Sequence, residues 1–196
     1  MPSFCKLFWE VKNEATKNHF LSESSTSKII HLATHADVSN NPWIAFSDKK
    51  LELHELYTYK NNADLVVLSA CNTSLGEVAV GEGVLSLARG FFYSGANAVV
   101  SSLWEVNDES TSVIMTDFYK NLKEGESKSI ALNNAKKAYL NTHSLSEKSP
   151  YYWSSFVLIG NTNSISLSSN MSIYIVLIII FLAFFFFQIV FRWTYK

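Results

Sequence analysis

The sequence predicts an α/β sandwich built on a mostly parallel sheet, followed by one transmembrane helix at the C-terminus. Three observations lead there. Short apolar runs bounded by turn residues recur at Ile29 to Ala33, Leu65 to Ala70, Ala98 to Leu103 and Ser155 to Ile159, as expected for strands buried on both faces. Segments of helical period lie between them. Near the end, Ile173 to Phe191 form a run of 19 residues in which Gln188 is the only polar one.

Taken in chain order, the first element is a helix over Asn13 to Leu21, with the polar stretch Ser22 to Ser27 as the loop before the first clear strand. After the second strand, Gly83 to Tyr93 place Val84, Leu87, Ala88 and Phe91 on one helical face. Ser110 to Leu122 carry Ile114, Phe118 and Leu122 four residues apart, and a further helix runs from Ser127 to Leu140 after a break at Gly125. Strands alternating with helices imply crossover connections and hence parallel pairing. Residues 1–160 are thus read as one globular domain and 161–172 as a polar linker.

A hydrocarbon layer about 30 Å thick needs roughly 20 apolar residues in a helix, which the run 173–191 supplies. A buried helix of the globular part is the competing reading, but a segment with Phe184 to Phe187 on every side has no face for solvent. The tail 192–196 adds Arg192, Trp193, Tyr195 and Lys196, a basic and aromatic belt suited to a membrane interface. Those two charges favour a cytoplasmic tip with the domain outside. The opening MPSFCKLFWE has no sustained apolar core of a signal peptide, which favours a cytosolic domain. The expected location is a membrane, with either orientation open.

Sixteen basic and 17 acidic side chains leave a net charge of −1, which argues against a nucleic-acid partner. Two cysteines, Cys5 and Cys71, are too few for a framework of several disulfides, so Cys71 is of interest as a thiol.

In an open parallel sheet, reactive groups collect at the carboxyl ends of neighbouring strands. His35 follows the strand Ile29 to Ala33, and Cys71 follows Leu65 to Ala70 directly. If those strands are adjacent, an imidazole and a thiol face one another. An imidazole can take the thiol proton, hold the sulfur as thiolate, and later return the proton to a leaving amine. The loop Asn72 to Gly83, with Gly76, Gly81 and Gly83, could supply N–H donors to an oxyanion. From spacing alone, Cys71 reads first as a small core residue. His31 reads as a packed or hydrogen-bonded strand histidine, and His54 as a surface residue on a short helix.

His31 and His35 have the spacing of a metalloprotease pair, but Leu32 stands where its general base would be, so no metal is expected. Gly81-Glu82-Gly83 continues to Ser86 where a dinucleotide loop needs its third glycine, and no phosphate loop with a Gly-Lys pair occurs. No cofactor is called for.

The residues IIHLATHA (29–36), DLVVLSACNTSLGEVAVGEGVLSLARGFFYSGANAVVSSLWEVNDEST (64–111) and PYYWSSFVLIGN (150–161) together resemble the CHAT domain. That is a caspase-like and separase-like family of clan CD cysteine peptidases, often joined to tetratricopeptide repeats. The resemblance covers Asn13 to Asn161 and implies the caspase-hemoglobinase sandwich. By it, His35 corresponds to the catalytic histidine and Cys71 to the nucleophile. The backbone N–H groups of Cys71 and Ala36 would form the oxyanion hole. Ala36 stands where the family usually has Gly, adding a Cβ where a positive φ would exclude one.

Two carboxylates bear on substrate choice. Glu82 follows the nucleophile, and Asp108 ends the LWEVND segment, which is similar to the lining of the first specificity pocket in separases. A carboxylate there would favour a basic P1 residue through a charge-assisted hydrogen bond. Asp108 is equally well suited to cap the helix that follows, and Glu82 reads first as a solvated loop charge. Trp104 and Trp153 are expected in the core or a pocket wall.

The resemblance also implies strands before the histidine strand, where about a dozen residues precede the match, so the chain reads as an N-terminally truncated copy with an open sheet edge. Two functions follow as expectations. One is a membrane-anchored cysteine endopeptidase acting on protein or peptide substrates. The other is a catalytically inactive remnant serving as a membrane-tethered scaffold for protein interactions, with repeat-domain proteins among the partners and the lipid bilayer as support.

Overall fold

A computed structural model of the chain describes residues 7–8, 15–37, 41–69, 80–104 and 107–165. The membrane span 173–191, the linker beyond residue 165 and the tail 192–196 lie outside the described residues.

All four expected strands are present, within a residue or two of the expected limits: β2 (Ile29–Leu32), β6 (Leu65–Leu68), β7 (Ala98–Ser102) and β8 (Phe156–Gly160). They join β1 (Leu7–Phe8) in a sheet of order β1-β2-β6-β7-β8. The first three pairings are parallel, and β8 runs antiparallel to β7. β6 is the middle strand, and all four of its residues are buried. A strand buried on both faces has no use for polar alternation, which is why Leu65, Val66, Val67 and Leu68 read as one apolar run.

The connections are α1 (Lys17–Glu23) between β1 and β2, α2 (Leu53–Leu56) between β2 and β6, and α3 (Val80–Ser94) between β6 and β7. Each steps one strand in the same direction, so right-handed crossovers place all three helices on one face. Phe20 of α1, Leu56 of α2 and Leu87, Ala88 and Phe91 of α3 share a buried cluster with Ile30, Leu32, Val66, Leu68 and Val99. α4 (Asp108–Lys123) and α5 (Lys128–Thr142) pack together and cover the other face. This face is identified by Tyr119 of α4, which bonds His31, a residue pointing opposite to its clustered neighbours Ile30 and Leu32. The expected stripe Ile114, Phe118 and Leu122 is buried there. A short α6 (Pro150–Trp153) leads into β8. The described residues form a three-layer sandwich within one unit, Cys5–Ile165.

Three features differ from expectation. β1 lies outside β2, so the histidine strand does have a preceding neighbour, too short at two residues to be read from its sequence. α3 begins at Val80, so Gly81, Glu82 and Gly83 belong to a helix and not to the expected loop. A small antiparallel sheet, β3 (Ala36–Asp37), β4 (Trp43–Ala45) and β5 (Lys50–Glu52), is inserted between β2 and α2.

Long-range polar contacts lock these pieces. Lys17 of α1 pairs with Glu55 of α2, 2.6 Å from Nζ to Oε2. Glu55 also accepts the Glu52 N–H at 2.9 Å, completing a capping box. The hydrogen bond from Lys17 holds the Glu55 carboxyl below the usual range. At the turn from α3 into β7, Gly95 has φ +117°, and a Cβ there would stand 2.2 Å from the Asn61 carbonyl oxygen. Both the backbone region and the close approach demand glycine. We expect Gly95→Ala to lower stability by about 2 kcal/mol or more. Thermal unfolding checks this: a melting temperature equal to wild type would show that the turn relaxes.

Candidate functional site

The candidate site lies where β2 and β6 end. Their parallel register pairs Ile29 with Leu65 and Leu32 with Leu68, and the Ser69 N–H donates to the Leu32 carbonyl at 3.1 Å, continuing the ladder by one residue. His35 is the third residue after Leu32, and Cys71 the third after Leu68. The adjacency on which the His–Cys pairing depends is therefore present. Cys71 itself lies outside the described residues, as do Gly76 and the rest of 70–79.

Local hydrogen bonding determines how the chain leaves β2. The His35 carbonyl accepts the Ala45 N–H at 2.7 Å, and the Thr34 hydroxyl donates to the Ala45 carbonyl at 2.9 Å. These bonds turn the chain from the large sheet into β3, with the His35 side chain exposed. Ala36 pairs with Ile44. Because the flanking bond runs from Ala45 to His35, this is a non-hydrogen-bonded pair, and the Ala36 N–H is directed away from β4. Ala36 is in extended strand backbone, which any residue adopts, and its side chain is buried in the cluster with Ile44 and Leu51. The expectation that a Cβ would conflict with a positive φ here is not met, because the small sheet packs around that methyl group.

Asp108, a natural cap for α4 on its sequence, yields that place to Asn107. The Asn107 Oδ1 accepts the N–H groups of Glu109 at 2.8 Å and Ser110 at 3.2 Å. Asp108 is the first helical residue, exposed, with its charge at the favourable end of the helix dipole. Glu82 is in the first turn of α3. Trp104 and Trp153 are partly buried and donate their indole N–H groups to the carbonyls of Tyr151 and Lys148, each at 3.0 Å. His54 is exposed on α2, as expected. Among the described residues no three His, Cys, Asp or Glu side chains converge as a metal ion would require.

His31 is the functional-looking residue whose surroundings the sequence left unspecified. Its Nε2 is 2.8 Å from the Ser69 hydroxyl, and its Nδ1 is 3.0 Å from the Tyr119 hydroxyl. Burial pushes its pKa down to about 4, so the ring is neutral at physiological pH. Burial also raises the Tyr119 phenol above its ordinary value, keeping it protonated. A polar depression lined by Lys28, Asp64 and Asn97 lies just before β2, β6 and β7, at the end of the sheet opposite these groups.

Comparison with known proteins agrees with this architecture. The family model described as the CHAT domain matches residues 7–161. The chain is 33% identical over 107 residues to human tetratricopeptide repeat protein 28, covering 55% of this chain and 4% of that protein. It is 29% identical over 117 residues to the mouse protein of the same name, covering 60% of this chain and 5% of that protein. The chain thus corresponds to a small part of the length of either relative.

The low pKa of His31 has a consequence for acid stability. The unfolded chain takes up a proton near pH 6.5 while the folded chain resists until about pH 4, so between these values the unfolded state binds more protons. Stability therefore falls as pH drops from about 6.5 to about 4, by up to roughly 3 kcal/mol from this residue. Urea unfolding across that range should show a steeper decline in wild type than in His31→Gln; parallel curves would contradict the assignment.

Proposed function

The chain belongs to the CHAT domain family, and from that premise we propose that it is a cysteine endopeptidase in which Cys71 is the nucleophile and His35 the acid–base group. The observation that carries this reading is the register of β2 with β6, which starts both residues from paired strand ends. Cys71 Sγ attacks the scissile carbonyl of a protein or peptide substrate after His35 has taken the thiol proton. As the tetrahedral intermediate collapses, His35 gives that proton to the departing amine, leaving an acyl-enzyme. Water, deprotonated by the same imidazole, releases the acid and restores the thiol. The backbone N–H groups of Cys71 and Ala36 serve as oxyanion donors, a role supported by the direction of the Ala36 N–H away from its ladder. The pair needs no metal or organic cofactor.

Asp108 and Glu82, at the starts of α4 and α3, offer carboxylates to a basic P1 side chain. The apolar run Ile173 to Phe191 anchors the domain to a lipid bilayer. Proteins carrying tetratricopeptide repeats are its partners, a reading supported by the name shared by the two relatives. The rival function, an inactive scaffold, makes the opposite prediction for the thiol.

Peptidyl acyloxymethyl ketones bearing P1 Arg, Lys or Asp should label the wild type and fail to label Cys71→Ala, with Arg and Lys preferred over Asp. Equal labelling of both proteins, or none of a folded wild type, favours the scaffold. The anchor is checked separately. The full chain should remain in the membrane pellet after alkaline carbonate extraction, and a chain ending before Ile173 should not; release of both would remove the anchor.

A further inference from the structure

We propose that His31 is a positioning residue that ties together the two chain exits carrying His35 and Cys71. The inference rests on the peptidase reading for its functional meaning but on the described geometry for its mechanics. His31 is on β2, four residues before His35. Its Nε2 bonds the hydroxyl of Ser69, the first residue beyond β6 and two before Cys71. One imidazole therefore connects the strand that bears the base to the chain that bears the nucleophile, beside the Ser69-to-Leu32 bond that is the last between those strands among the described residues.

The ring is itself held. Tyr119, in the C-terminal half of α4, meets Nδ1 at 3.0 Å, and its ring lies 5.6 Å from that of His31 between centroids. A neutral imidazole has one donor and one acceptor nitrogen, and two hydroxyls satisfy both in either tautomer. Such a partly buried group with both nitrogens partnered has a fixed orientation, whereas an unpartnered hydroxyl at Ser69 would leave the chain beyond β6 less constrained. His31 does not exchange protons with substrate in this arrangement, because it stays neutral throughout the working range. Its contribution is to hold Ser69 against β2, and with it the start of the segment that carries the thiol.

The test uses Ser69→Ala, His31→Leu and His31→Gln in the full chain, with the fold of each checked by thermal melting. The Gln amide reaches the position of Nε2, so it can keep the bond to Ser69 while losing that to Tyr119. Two readouts are taken by mass spectrometry: the rate at which iodoacetamide alkylates the Cys71 peptide at pH 6.5, and amide hydrogen exchange over residues 69–72. Ser69→Ala and His31→Leu should slow alkylation about tenfold, the loss expected when a thiol rises by one pKa unit, and should speed exchange. His31→Gln should stay within about twofold of wild type in both. Unchanged exchange in Ser69→Ala, or equal damage in His31→Gln and His31→Leu, overturns the proposal. Faster exchange with an unchanged alkylation rate also overturns it, provided that the wild-type thiol is activated. If wild-type Cys71 alkylates no faster than a free thiol, the peptidase reading fails, and exchange alone decides whether His31 holds the chain at Ser69. Should His31→Leu not fold, Ser69→Ala, which removes a single oxygen, decides between these outcomes.

Discussion

The parallel pairing of β2 with β6 is the constraint on which the rest depends. Matching Leu32 with Leu68 ends both strands at the same height in the sheet, each three residues before His35 or Cys71 in the sequence. A shift of one residue would turn Val66 and Leu68 from the cluster with Phe20 and Phe91 to the opposite face. Burial on both faces therefore protects the register, and the register protects the candidate site. Core packing and site geometry are here one property.

The carboxyl ends of β2 and β6 are not at a reversal of strand order, since β1, β2, β6 and β7 follow one another across the sheet. The chain leaves β2 at His35 to build a separate three-stranded sheet before returning through α2 to β6. Ladder bonds from Ala45 pull the backbone away at that point, leaving an exposed imidazole beside a covered Ala36. The same insertion supplies Ile44 and Leu51 to the core, so the departure costs the fold little apolar burial. Lys17 and Glu55 then fasten the returning segment to α1.

Where sequence and structure part, the reason is local chain length or distant partners. The strands β1 and β3 have two residues each, and β4 and β5 three, too few for a period of two to declare itself. Gly81 and Gly83 suggested a loop because glycine lowers helix propensity, yet helix α3 includes both, as tertiary packing of Leu87, Ala88 and Phe91 can override that preference. Asn107 and Asp108 are neighbours of equal capping ability, and only the observed hydrogen bonds distinguish them. The CHAT resemblance located His35 and Cys71 because the motif words are contiguous, while the partners of His31 lie 38 and 88 residues away in the chain.

By itself the sequence determined the four longer strands and the longer helices in outline, because two-faced burial and helical period are written directly in side-chain polarity. It also determined the family, through short contiguous words around His35 and Cys71. Only the tertiary structure decided the order of strands, the antiparallel setting of β8, the inserted sheet and the Tyr119–His31–Ser69 connection. Those depend on which hydrogen-bonding edges and which buried polar atoms meet across long loops, and that meeting is a property of the whole packed chain.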